Sequence, residues 1–175
     1  MRICDPDDGA VLPVGREGEI CVRGPTLFSH YYRMAPAECF DAEGFFHTGD
    51  LGSLDEHGAL HFVGRLKDVI KTAGVNVAAA EVEAVLLEHP AVGAAHVVGV
   101  PDRSRGENVA AFVVLSRPAT VEELVEHCQG RLASYKVPRF VFFTSEDELP
   151  TLGSGKLDRR QLRERAAALA GRESS

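Results

Sequence analysis

The chain has 175 residues, 45% hydrophobic and 26% charged, enough for one packed core and part of another. Its net charge of -7 comes without a basic block, so neither a nucleic-acid face nor an anionic-membrane surface is expected. Cys4, Cys21, Cys39 and Cys128 have neither metal-ligand spacing nor the density of a disulfide scaffold, and no apolar stretch suits a secretory leader or a membrane span. Reduced thiols in a cytoplasmic protein are the expectation.

To about Val63, short apolar runs are cut by turn signals: MRICD, PDDGAVLPVGREG and EICVRG. LGSLDEHGALHFVG reads as a hairpin turning at Glu56, His57 and Gly58. His57 and His61 are four apart, but a turn lies between them, so they read as surface histidines and no metal site is expected. An irregular aromatic segment precedes the hairpin, with a short helix expected over residues 35–40. The chain opens on a strand with little ahead to pair or cover it, as at a fragment boundary.

From Gly64 strands alternate with helices, the pattern of a sheet covered by helices. AAAEVEAVLLEHP predicts an amphipathic helix burying Val82, Val85 and Leu86, with Pro90 as its stop. AVGAAHVVGVPD and ENVAAFVVLS predict strands joined by the turn-prone DRSRG. TVEELVEHCQGRL predicts a helix with Thr120 as N-cap and Glu123 completing a capping box. RFVFFTS predicts a buried strand, and a last helix from about Asp158 presents Leu162, Ala166 and Leu169 on one face. The terminal GRESS reads as disordered.

Three stretches carry chemistry. In LPTLGSGKLDRR, Lys156 follows Gly153 and Gly155; a phosphate-binding P-loop is excluded, because Pro150 and Leu157 stand where it needs Gly and Ser or Thr. What remains is a cation on a glycine-hinged loop that can neutralise oxygen charge, or a solvated turn lysine. In GFFHTGDLG, Asp50 follows a Thr-Gly pair, where a carboxylate can accept bonds from two neighbouring hydroxyls, as on a ribose, or can serve a turn. GRLKDVIKTAGVNV sets Arg65, Lys67, Asp68 and Lys71 where the composition changes, as a linker with ligand-facing cations or as an edge strand guarded by lysines.

In order, GEICVRGP, GFFHTGDLG, GRLKDVIKTAGVNV, AEVEAVL, YKVP and TLGSGKLDRR resemble the carboxyl-terminal portion of the adenylate-forming enzymes: acyl-CoA synthetases, luciferases and peptide-synthetase adenylation domains. Phe45 stands where Trp is frequent in the family and Ala79 where Pro is frequent. The resemblance implies an α+β chain: residues 1–64 would end the distal β subdomain of a large domain, and residues 65–175 would form a mobile lid with a central sheet flanked by helices. It implies Asp50 and Arg65 at the ribose of ATP or AMP, Lys156 as the catalytic lysine of adenylation and Lys67 as the hinge. Lys71, Thr72, Ala73 and Gly74 would face the CoA channel. ATP, CoA and a carboxylic acid would be substrates, with Mg2+ accompanying ATP on ligands outside these residues, and the missing N-terminal domain would be the partner. The wording around Lys67 is closer to a CoA ligase than to a peptide-synthetase domain. A non-catalytic lid that complements a partner chain is the other reading. The phosphate loop and acyl pocket of the family are absent, so the isolated chain is expected to be inactive and its acid is not specified.

Overall fold

The short amino-terminal runs pair into one antiparallel sheet of order β1-β2-β3-β4, formed by Arg2–Cys4, Gly18–Val22, Phe46–Leu54 and Leu60–Arg65. This computed structural model describes residues 1–173, and the chain divides into a first unit, Met1–Lys67, and a second that begins at Asp68. The break falls three residues past the Gly64 boundary expected from composition.

Helix α1, Pro36–Cys39, falls within the expected segment. The β3–β4 turn is closed by Asp55, which accepts from His57 N at 2.9 Å and Ala59 N at 2.8 Å. His61 Nε2 lies 3.1 Å from Asp55 Oδ2, on the surface. Strand packing demands glycine at two points: a Cβ at Gly18 would stand 2.4 Å from Cys4 O, and one at Gly52 2.6 Å from His61 O. Cys4, Cys21 and Phe45 form the small core, with the Arg2 and Arg23 guanidinium carbons 3.9 and 4.6 Å from the Phe45 ring centroid.

The second unit holds a five-stranded mixed sheet. Its path runs β6-β5-β8-β7, with Val75–Ala78, Val69–Thr72, Gly106–Leu115 and Val92–Asp102 antiparallel, and β9, Phe140–Phe143, parallel to β8. Strands β7 and β8 are apolar almost throughout because helices cover both faces. Val97, Val109, Ala111 and Val113 pack with Val82 and Leu86 of α2 (Ala79–Leu87) and with Leu124 and Cys128 of α3 (Val121–Gln129). The alternate residues Val98, Val100, Ala110 and Phe112 pack with Leu162, Ala166 and Ala170 of α4, Arg159–Glu173.

The capping box of α3 is complete, with Thr120 Oγ1 accepting from Glu123 N and Glu123 Oε2 from Thr120 N. Four local expectations need correction. Helix α2 ends at Leu87, ahead of Pro90. Strand β9 is only half-buried, since it pairs with β8 alone and Phe143 is exposed. The buried face of α4 is completed by Ala170, while Leu169 is partly buried at its margin, the drift that a period of 3.6 gives over two turns. Of the GRESS tail, Gly171, Arg172 and Glu173 are helical, and Ser174 and Ser175 lie outside the described residues.

Candidate active-site residues

Asp50 and Arg65 come together because the β3–β4 ladder sets them directly opposite. Arg65 Nε lies 2.7 Å from Asp50 Oδ1. That oxygen is buried and has no aligned hydrogen bond, so the approach is an ion pair with hydrogen-bonding capacity unspent, and the exposed part of the Asp50 side chain lies on its other atoms. Beside the pair, Gly49, Arg65, Leu66 and Lys67 line a pocket of about 320 Å³ with a largely apolar wall. A carboxylate, a guanidinium and an apolar wall within one edge suit a sugar hydroxyl pair next to a flat ring.

Lys67 is exposed in a 3-10 turn, Leu66–Asp68, at the end of the first unit. This single turn separates β4 from β5, and β5 lies between β6 and β8, so the edge-strand reading of this segment is corrected.

Lys71, Thr72, Ala73 and Gly74 form the tip of the β5–β6 hairpin. Lys71 is exposed, and its amide donates to Glu107 Oε2 at 2.8 Å. Thr72 is 1% exposed, with its hydroxyl 3.4 Å from Arg105 Nε, so its side chain packs within the second unit. Ala73 has φ +50° and Gly74 φ +78°. Two successive positive φ values suit a tight hairpin turn, but Ala carries strain there that Gly does not. The hairpin tip holds this conformation with Ala73 N donating to Arg105 O at 2.7 Å.

Lys156 is exposed and has no acidic partner among the described residues. Its loop is closed by a bridge between Thr151 and Leu157, with Leu152 N donating to Lys156 O at 2.7 Å and Gly155 N to Leu152 O at 2.8 Å. Gly155 takes φ +78° while Gly153 does not adopt positive φ, so the loop is a bonded turn and its freedom lies in the lysine side chain. Asp158 caps α4 just behind, accepting from Arg160 N and Gln161 N at 3.1 Å each.

Two sets of supporting residues escape the sequence. Arg159, three residues after Lys156, binds Val97 O, Glu83 and Asp68. Glu19, His47 and Thr48 surround the turn that carries Asp50. An acidic residue inside the apolar GEICV is the one linear sign of the second set.

Residues 81–156 match the AMP-binding enzyme C-terminal domain. The chain is 47% identical to a 2-succinylbenzoate–CoA ligase of Bacillus mycoides (strain KBAB4) over 158 residues, 89% of this chain and 32% of the relative. It is 44% identical to a long-chain-fatty-acid–CoA ligase of Escherichia coli O157:H7 over 167 residues, 94% of this chain and 29% of the relative. It superposes on the crystal structure of ATP-bound MatB from Rhodopseudomonas palustris with a TM-score of 0.85 and 39% identity, over 96% of this chain and 34% of that one. The chain therefore spans about a third of the length of the proteins it matches. With more than 40% identity to these acyl-CoA ligases across about nine-tenths of its residues, and a shared fold, the chain matches about a third of such a protein and carries, over residues 81–156, a member of the AMP-binding enzyme C-terminal domain family.

Proposed function

We propose that this chain is the lid-bearing portion of an ATP-dependent acyl-CoA ligase, with residues 1–64 ending the large domain and residues 65–175 forming the mobile lid. The observation that carries the reading is the Asp50–Arg65 pair, 2.7 Å apart on facing strands beside the pocket lined by Gly49, Leu66 and Lys67. Both relatives named above are acid–CoA ligases, and the solved neighbour holds ATP. Their acids, 2-succinylbenzoate and long-chain fatty acids, differ too much to assign one here.

In the first half-reaction a substrate carboxylate oxygen attacks the α-phosphorus of ATP, the bond to the β-phosphate oxygen breaks, and pyrophosphate leaves. Asp50 accepts the ribose hydroxyls and Arg65 lies against the same sugar. The exposed ammonium of Lys156, which has no acidic partner among the described residues, swings between carboxylate and phosphate oxygens and lowers their mutual repulsion. Mg2+ arrives with ATP as part of the substrate. After rotation at Lys67, the Lys71–Gly74 tip faces the pantetheine thiol, which loses its proton as sulfur attacks the acyl carbon and AMP departs. By itself the chain has no phosphate loop and forms no adenylate.

The test compares half-reactions in the complete enzyme. Lys156→Ala is expected to lower adenylate formation by about a hundredfold to a thousandfold, the usual loss for a donor aimed at developing oxygen charge, while a supplied acyl adenylate still gives thioester at near the parent rate. Adenylation surviving within a few fold would leave Lys156 a solvated turn residue and sink the assignment.

A further inference from the structure

Glu19 is a carboxylate in a place where a strand normally buries apolar groups. It lies between Gly18 and Ile20 on β2 and is 8% exposed. Burying an ionised group is costly unless both oxygens find partners. They do: Oε2 accepts from His47 Nδ1 at 2.7 Å, and Oε1 from Gly49 N at 2.9 Å.

Those partners flank Thr48 and stop one residue short of Asp50. Here the β2–β3 ladder is broken: Glu19 faces Leu51, but Cys21 faces His47, so two steps along β2 correspond to four along β3. The bulge frees backbone donors, and side chains take them. Thr48 Oγ1 donates to Ile20 O at 2.8 Å and accepts from Asp50 N at 3.0 Å, while Glu19 takes the amide of Gly49, whose φ is +69°.

Glu19, Cys21 and His47 also offer metal-type donors within 4.8 Å of one another. The 2.7 Å between Nδ1 and Oε2 is a hydrogen bond, however, shorter than the ~3.3 Å kept by two donors each ~2.0 Å from a tetrahedral zinc. The cluster is a clamp on the backbone.

We infer that Glu19, with Thr48, is the positioning residue of the nucleotide carboxylate: it holds the bulge in the one arrangement that sets Asp50 against Arg65 and presents its free acceptor capacity to a sugar. This rests on the reading of Asp50 as the ribose-binding residue. Glu19 acts only through the turn, so its effect on nucleotide affinity must disappear when Asp50 can no longer bind.

The experiment is a double-mutant cycle on AMP binding by calorimetry in the complete enzyme, with exchange of the amides of residues 48–51 followed in parallel. Glu19→Leu, which fills the space without an acceptor, is expected to weaken AMP about tenfold, ~1.4 kcal/mol, and to raise exchange in that turn alone. Glu19→Gln, which keeps an acceptor for Gly49 N and can donate to His47, is expected to restore affinity to within about threefold. In an Asp50→Ala background Glu19→Leu should add nothing. If Glu19→Leu does not fold, Thr48→Val, isosteric but without the hydroxyl relay, completes the same cycle with the same expectation. Parent affinity in the single variants, or an equal loss in both backgrounds, overturns the clamp. Parent affinity in Asp50→Ala alone overturns instead the ribose assignment beneath it.

Discussion

Arg159 should anchor the second unit out of proportion to its surface position. Its Nη1 donates to Val97 O at 3.0 Å, its Nη2 to Glu83 Oε1 at 3.0 Å, and its Nε stands 3.6 Å from Asp68 Oδ2. The side chains are 33%, 15% and 21% exposed for Arg159, Glu83 and Asp68, so solvent screens the network only in part. Arg159→Met keeps much of the stem and deletes the fork. One backbone carbonyl then loses its donor, about 1 kcal/mol, and a mostly buried carboxylate loses its cation, on the order of 1–3 kcal/mol. Glu83 keeps the Val97 amide at 2.8 Å, which places the sum near 2–3 kcal/mol. For a domain of this size that lowers the melting temperature by about 10–15 °C. Because the chain has two units, the assay is urea titration with hydrogen exchange read on α4 and β7, which isolates the second unit. Much of the cost is a stranded charge, so Glu83→Gln together with Arg159→Met should be less destabilised than the two single losses added. A loss below about 0.5 kcal/mol, the level of an ordinary surface change, or strict additivity, would refute the network as an anchor.

Ala73→Gly relieves left-handed backbone strain of roughly 1–2 kcal/mol, less the added freedom of the unfolded chain, for a net gain of about 0.5–1 kcal/mol; unchanged or lower urea stability would contradict this. Amide hydrogen bonds from Phe45 and then Glu43, with Arg2 and His47 adding to them, hold the Asp41 carboxyl below the ordinary carboxylate range. A depressed carboxyl contributes stability above its ordinary value of about 4 and loses it as pH falls through the folded value. Asp41→Asn should therefore flatten the acid limb of first-unit stability, and an unaltered limb would count against it. Burial pushes the Cys21 thiol up to about 12 and Cys128 up to about 11, and Cys4 is fully enclosed. A thiol reagent at neutral pH should modify half-buried Cys39 first, as mass mapping can show, whereas early labelling of Cys21 would mean that its strand opens.

Much of this architecture is written locally. The Thr120 and Glu123 capping box, the strand pair from Val92 to Leu115, the Asp55 turn and the short helix after Ala35 depend on neighbours a few residues away, and chain order alone displays them. The family motifs were legible for a similar reason, since Asp50, Arg65, Lys67 and Lys156 each sit in a contiguous phrase. Spacing could not say which residues share a surface. It put Leu169 on the buried face of α4 and passed over Ala170, because a helix face is chosen by the sheet that covers it. Nor could it pair Glu19 with His47, 28 residues away, or Arg159 with Glu83, 76 away, since such contacts exist only after strands and helices have docked. In the chain Glu19 is an interruption in an apolar strand, and Arg159 one of two adjacent arginines. Burial then makes an unpaired carboxylate costly, and that cost, absent from the extended chain, selects the partners which hold the Asp50 turn and the helix behind Lys156 in place.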